Sequence, residues 1–203
     1  CYDFIQVNEN KLLMYLGDVT GHGVPSGIIV SIANAMVYHL AHKEDILNLM
    51  VSLNKVIKEK TASNMFLTMV MLDYDLALNK LQFVNAGHEQ MIHFHAKDKK
   101  ITLTPSGGLA LGMFPDIAKL LKIQELVLEK DDVLVIYSDG IPENWKNDKE
   151  MYGMVNFKRA VSEYSDLPSS IAIRNALLAD VKEFSGKYKQ MDDITLIVIK
   201  KTV

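Results

Sequence analysis

The sequence predicts an α+β domain built in layers, and three observations predict it. Strand-like runs come first, then two helices, many short strands, two more helices and one last strand. Grouped runs of this kind point to layered α+β packing, because a doubly wound parallel sheet would alternate strand with helix. The period of the apolar pattern also changes, from helical spacing in 25–57 to strand-like spacing from 65 onward. With 203 residues, 49% of them hydrophobic and 23% charged, the chain has the ordinary globular material for one sizeable core. No repeat, low-complexity stretch or boundary interrupts it, so 1–203 reads as a single domain.

Residues 2–7 and 11–16 read as strands joined in a hairpin at Asn8-Glu9-Asn10. The second is nearly all apolar, as a strand covered on both faces would be. Pro25 suits the first turn of a helix, where its missing N–H is not needed. Ile28, Ile29, Ile32, Ala35 and Met36 mark the apolar face of that helix, which runs to about His42. Asp45 caps a second helix with the stripe Ile46, Leu49, Met50, Leu53, Val56 and Ile57. Both stripes read as core-packing faces. Short strands follow at 65–73, 80–84 and 91–95, with turns at Leu78-Asn79 and Asn85-Ala86-Gly87. Residues 104–116 hold Pro105, Gly107, Gly108, Gly112 and Pro115 and read as a long loop. Strands at 123–128 and 133–138 flank the turn 129–132, and 142–153 is a polar excursion. Amphipathic helices at 157–164 and 169–184 and an apolar strand at 194–200 complete the chain.

Composition narrows the function. The formal net charge is −3, from 22 Lys and Arg against 25 Asp and Glu, which gives no footprint for nucleic acid or an anionic membrane surface. The one cysteine, Cys1, excludes an internal disulfide and fits a reducing cytosol, as does the lack of any Asn-X-Ser/Thr sequon. Apolar runs fall far short of a bilayer span, and no signal peptide is visible. A cytoplasmic location is expected for this domain, although a longer protein holding it could be membrane-tethered. A strand-like pattern begins at once at Cys1, so the expectation is an N-terminally truncated output domain of a longer protein.

Three acidic positions share one local signature. In Leu12-Leu13-Met14-Tyr15-Leu16-Gly17-Asp18-Val19-Thr20-Gly21-His22-Gly23 an apolar run stops at Asp18 and glycines crowd the turn. Asp139 follows Val133-Leu134-Val135-Ile136-Tyr137-Ser138 and precedes Gly140. Asp192 and Asp193 precede Ile194-Thr195-Leu196-Ile197-Val198-Ile199. Carboxylates gathered at strand ends would repel one another without a cation, and with Mg²⁺ or Mn²⁺ they offer the hard oxygen ligands those ions prefer. A single such Asp would mean only a solvated or capping residue.

Other motifs fail on spacing. His88-Glu89-Gln90-Met91-Ile92-His93 is one residue longer than the zinc-protease helix motif and lies in a strand-like stretch. His93 and His95 share a strand face but have no third ligand nearby in the sequence, and read as surface residues. Gly21-His22-Gly23-Val24-Pro25-Ser26-Gly27 misses both the Walker and the dinucleotide patterns. No Gly-X-Ser-X-Gly elbow is present.

With these acids in place, the chain resembles the PPM-type (type 2C) metal-dependent serine/threonine protein phosphatases, closest to their bacterial SpoIIE/RsbU-like branch. The segments that carry the resemblance, in the family's order, are Gly17-Asp18-Val19-Thr20-Gly21-His22-Gly23-Val24-Pro25, Asn85-Ala86-Gly87-His88, Gly108-Leu109-Ala110-Leu111-Gly112, Tyr137-Ser138-Asp139-Gly140-Ile141-Pro142-Glu143 and Asp192-Asp193-Ile194-Thr195. The resemblance implies a four-layer α-β-β-α sandwich of two mainly antiparallel sheets between helix pairs, with two Mn²⁺ or Mg²⁺ ions at one end. It implies that Asp18 bridges the ions, that the Val19 backbone carbonyl binds one, and that Asp139 and Asp192 complete the protein ligands; a role for Asp193 is left open. Catalysis would run through bound metals and water, with direct attack on phosphorus and no covalent phosphoenzyme. Cys1-Tyr2-Asp3-Phe4 matches the tail of a Gly-Gly-Asp-X-Tyr-Asp-Phe segment, so a further metal-binding Asp is expected just before Cys1.

The resemblance also implies partners: a phosphorylated regulatory protein as substrate, in this branch a STAS-type anti-anti-sigma factor, and an upstream sensor or regulatory domain in a partner-switching signal pathway. No nucleic acid or membrane contact is expected, and a homodimer through the helix pair 25–57 is left open. The alternative is a catalytically weak or inactive phosphatase-fold module that binds a partner without turnover.

Overall fold

The computed structural model describes residues 1–202. In chain order the elements are β1 (Tyr2–Asn8), β2 (Lys11–Val19), α1 (Val24–Leu40), α2 (Ile46–Lys60), β3 (Leu67–Asp75) and β4 (Lys80–Ala86). They continue with β5 (Ile92–His95), β6 (Lys100–Leu103), β7 (Gln124–Leu126), β8 (Val133–Tyr137), β9 (Trp145–Asn147) and β10 (Glu150–Met151). Helices α3 (Gly153–Tyr164) and α4 (Ser170–Ser185) and strand β11 (Leu196–Lys200) close the chain. The α+β class holds: two antiparallel sheets, each in its own compact unit with its own helix pair.

The first unit is Cys1–His88 with Ser106–Val127. Its sheet runs in the order β1-β2-β3-β4-β7, every pair antiparallel. The apolar run of β2 ends at Leu16, yet pairing continues through Gly17↔Met69, Asp18↔Thr68 and Val19↔Leu67. Gly17 makes this extension feasible, since a Cβ there would sit 2.8 Å from the Thr68 carbonyl oxygen. Asp18 is therefore held in the ladder and does not follow it.

Helix α2 starts as expected, with the Asp45 carboxylate accepting from Asn48 N–H at 2.8 Å. Helix α1 corrects the expected face. Its buried line is Ser26, Ile29, Ala33 and Val37, while Ile28 is 54% exposed and Ala35 is exposed as well. Small residues in the buried line let the helix lie close, and Tyr15 Oη donates to Asn34 Oδ1 at 2.6 Å, which fixes its rotation. Pattern weighted by apolar size misses both causes.

The 104–116 loop is latched in spite of its irregular backbone. Leu111 exchanges backbone hydrogen bonds with Leu67 at 3.0 and 2.8 Å. Asn54, 1% exposed on α2, accepts from Gly112 N–H at 2.8 Å and donates to the carbonyls of Phe114 and Pro115 at 3.1 and 3.3 Å. Replacing it by Leu strands a buried donor and two acceptors. Asn54→Leu is expected to cost about 2–3 kcal/mol, seen as a lowered urea midpoint at unchanged slope.

The second unit is Glu89–Pro105 with the chain from Leu128 on. Its sheet runs β11-β8-β5-β6, again antiparallel, and β9 and β10 form a separate small hairpin. The sheet and α3 and α4 share a core that includes Phe94, Val135, Tyr137, Phe157, Ile173 and Leu177. Arg159 on α3 donates to both carboxylate oxygens of Asp180 on α4 at 2.8 Å, and the buried Tyr152 hydroxyl donates to the same carboxylate. The β9–β10 hairpin lies in polar sequence with no apolar alternation and was not legible in it, and β6 alternates over only four residues, Lys100-Ile101-Thr102-Leu103. No helix among the described residues is long and apolar enough to cross a membrane.

Candidate metal centre

The sequence-predicted ligands fall in both units: Asp18 and Val19 in the first, Asp139, Asp192 and Asp193 in the second. In the first unit, Asp18 is partly buried near the end of β2, and the turn beyond it is tied down on either side. Thr20 N–H donates to the Phe66 carbonyl at 3.0 Å, and Phe66 N–H returns a bond to Thr20 Oγ1 at 2.9 Å. Ser26 Oγ, in the first turn of α1, donates to the Thr20 carbonyl at 3.3 Å. His22 is exposed in this turn.

Two residues that sequence reasoning gave no role support the Asp18 backbone. Thr68 Oγ1 donates to the Asp18 carbonyl at 3.3 Å and lies 3.0 Å from His88 Nδ1. With its proton spent on Asp18, the Thr68 oxygen accepts from His88, which places the imidazole proton on Nδ1. His88 is held in turn by Asn85, whose side chain accepts from His88 N–H at 2.8 Å and donates to the His88 carbonyl at 3.0 Å. The Asn85-Ala86-Gly87-His88 segment is thus a brace for the strand end that carries Asp18. Thr68→Val keeps the shape but strands the buried His88 Nδ1–H, and is expected to cost about 1–3 kcal/mol of stability, seen as a lowered urea midpoint at unchanged slope.

In the second unit the structure brings Asp139, Asp192 and Asp193 together. Ser138 N–H donates to the Thr195 carbonyl at 3.0 Å, Thr195 N–H donates to Ser138 Oγ at 2.9 Å, and Ser138 Oγ donates to the Asp193 carbonyl at 2.9 Å. Gly140 completes the fit: a Cβ there would lie 2.4 Å from the Asp193 carbonyl oxygen. The tight turn after β8 and the segment before β11 therefore lock to each other through a serine and a glycine. Asp192 Oδ1 accepts from Asp193 N–H at 2.7 Å, and both acids are exposed at the surface.

Burial and like charge act together on this acidic group. Burial pushes the Asp139 carboxyl above its ordinary value, and the neighbouring Asp192 adds to the rise. Glu89 is also raised, by burial first and then by Asp139 and Glu143. Glu89 is a member of this acidic group that the sequence showed only as part of a failed zinc motif; its place directly after Asn85-Ala86-Gly87-His88 was the available signal. The one tight group of three ligand atoms among the described residues is elsewhere in this unit, at His93, His95 and Asp132. The reading of those two histidines as surface residues is corrected for His93, which is 2% exposed, while His95 is partly exposed; Asp132 stands beside them as a third partner.

A family model for Stage II sporulation protein E (SpoIIE) matches residues 8–202. The phosphoserine phosphatase RsbU of Bacillus subtilis is 25% identical over 206 aligned residues, covering 100% of this chain and 59% of its own length. Phosphoserine phosphatase RsbP of the same organism is 23% identical over 69% of this chain and 35% of its own. The chain thus spans less than two thirds of the length of each of these relatives. Among solved structures, the SiaA PP2C domain of Pseudomonas aeruginosa superposes with a TM-score of 0.83 at 17% identity, over 98% of this chain and 79% of that one. The PP2C phosphatase domain of Bacillus subtilis SpoIIE with a fragment of its regulatory domain gives 0.76 at 18%, over 98% of this chain and 57% of that one. These likenesses show the fold.

Proposed function

The chain belongs to the SpoIIE family, the RsbU-like branch of the PPM-type phosphatases, and from that premise we propose that it hydrolyses phosphoserine or phosphothreonine on a regulatory protein with divalent cations held by Asp18, the Val19 carbonyl, Asp139 and Asp192. The observation that carries the reading is the Ser138–Gly140 lock, which sets Asp139 against Asp192 and leaves Asp139 with a raised pKa. Mutually repelling carboxylates on a rigid turn are destabilised until a cation neutralises them, and an all-oxygen donor set suits Mn²⁺ or Mg²⁺ over zinc. Once bound, two such ions supply charge neutralisation on the phosphoryl oxygens and an acidified water as nucleophile.

The chain's own residues supply the rest. The backbone that carries Asp139 and Asp192 is locked through Ser138 before substrate arrives, so that backbone needs little rearrangement during turnover. Glu89 with its raised pKa is a carboxyl that holds a proton more readily than a free glutamate, and it stands beside Asp139. The substrate class proposed is a phosphorylated STAS-type regulator in the cytoplasm, with the signal delivered by a sensor domain of a longer protein; the branch to which the chain belongs supports this. Calorimetric titration with Mn²⁺ tests the ligand set. Binding that is lost in both Asp18→Asn and Asp139→Asn supports it, and unchanged binding in either removes that residue from the centre.

A further inference from the structure

We propose that His93, His95 and Asp132 form a second cation site in the second unit, distinct from the acidic group and suited to a borderline-soft ion such as Zn²⁺ or Ni²⁺. The three side chains each offer one ligand atom, and all three atoms lie within 4.8 Å of one another. His93 and His95 are two residues apart on β5, so they project from one face, and their rings lie tilted against each other with centroids 3.9 Å apart. Asp132 comes from the turn before β8. His93 Nε2 is 2.9 Å from Asp132 Oδ2, and His95 Nδ1 is 4.0 Å from the same oxygen. Two ligands of a tetrahedral zinc ion, with bonds of about 2.0–2.1 Å, stand roughly 3.4 Å apart. The observed pair of distances brackets that value, so shifts of about half an ångström would seat the ion.

The surroundings prepare these atoms as ligands. Asp132 accepts from Ala96 N–H through Oδ1 at 2.8 Å and from Glu129 N–H through Oδ2 at 3.0 Å, so the carboxylate cannot swing away. His95 Nε2 sits 2.9 Å from Thr102 Oγ1 on β6. With Nε2–H donating to that hydroxyl, the Nδ1 lone pair is the one turned to Asp132, and 4.0 Å is too long for a hydrogen bond between them. Burial lowers the pKa of His93, which favours the uncharged ring a metal requires. Burial raises the Asp132 carboxyl, but the Ala96, His93 and Glu129 bonds outweigh it and the group stays ionised. An open cleft of about 380 Å³ reaches this corner, lined by His95, Lys97, Lys100, Thr102, Glu129 and Asp132 among others. The cleft leaves a fourth position for water. The ion would staple the 129–132 turn to β5, replacing the proton that His93 now shares with Asp132.

Zinc titration of the purified protein in excess Mg²⁺, which occupies oxygen-only sites, tests the proposal. It predicts one Zn²⁺ per chain, a rise in melting temperature on binding, and a tetrahedral Co²⁺ absorption spectrum when cobalt replaces zinc. His95→Ala, on a partly exposed side chain, is expected to weaken binding by about 100-fold, and Thr102→Val, which keeps all three ligands, by about 10-fold. Asp139→Asn is expected to leave the zinc affinity unchanged, which separates this site from the proposed catalytic centre. Zinc binding unaltered by His95→Ala, zinc binding abolished by Asp139→Asn, or no binding with an octahedral cobalt spectrum each overturns it.

Discussion

Asp139→Asn is expected to abolish cation-dependent phosphate release while leaving the cation-free fold at least as stable as the natural one. The two halves of this result have one cause. In the folded chain burial and Asp192 raise the Asp139 pKa above its ordinary value of 3.8. A group with a raised folded pKa binds protons more readily in the native state, so its stabilising contribution is full below the unfolded value and is lost as pH rises through the folded one. At neutral pH the ionised Asp139 therefore works against folding, and the neutral amide relieves the strain. The same amide is a poor cation ligand, and loss of the several kcal/mol of charge stabilisation that bound cations give the transition state corresponds to about 100-fold or more in kcat/KM. Melting curves in EDTA, from below the ordinary carboxyl value of 3.8 up to neutral pH, and turnover assays with Mn²⁺ check both halves. The natural chain should lose stability relative to Asp139→Asn as pH rises in EDTA and recover it when Mn²⁺ is added; a mutant that melts lower in EDTA at pH 7 would contradict the electrostatic account.

Gly140→Ala is expected to do comparable damage by packing alone. The added methyl meets the Asp193 carbonyl oxygen at 2.4 Å and the Asp193 carbonyl carbon at 3.0 Å, both backbone atoms that no side-chain rotation can clear. Overpacking of this kind costs about 1–3 kcal/mol. The only relief is to push the 192–193 segment away from Asp139, and a displacement near 1 Å of a positioned group costs about 100-fold in rate. Gly27→Ala is the control: its Cβ would meet nothing within 4 Å, and on α1 it should stabilise the chain by about 0.5–1 kcal/mol. Urea unfolding and turnover of the two variants, measured side by side, distinguish a local clash from a general intolerance of added methyls.

What the sequence made legible was the part written in contrast. The acids at Asp18, Asp139 and Asp192 stand out because each interrupts or borders a strongly apolar strand, and the capped start of α2 at Asp45 follows from one side chain and its neighbours. What stayed hidden depends on partners far along the chain. The buried face of α1 is set by Ser26, Ala33 and the Tyr15–Asn34 bond, not by its largest apolar residues. The roles of Thr68 and His88 need β3 beside β2 and the Asn85 turn beside both, contacts separated by 20 to 50 positions. Asp132 lies 39 residues from His93 in a turn that reads as solvated sequence. Strand β6 alternates, but over only four residues, Lys100-Ile101-Thr102-Leu103, too short a run to stand out without its pairing partner β5.

The most direct test of the central claim is phosphate release from a phosphoserine-bearing STAS-type protein, measured with Mn²⁺, with Mg²⁺ and in EDTA. The account predicts turnover that requires the cation and is lost in both Asp139→Asn and Asp192→Asn, with the folded state intact by circular dichroism. Release that persists in EDTA or in Asp139→Asn, or substrate binding without release under any cation, would contradict it.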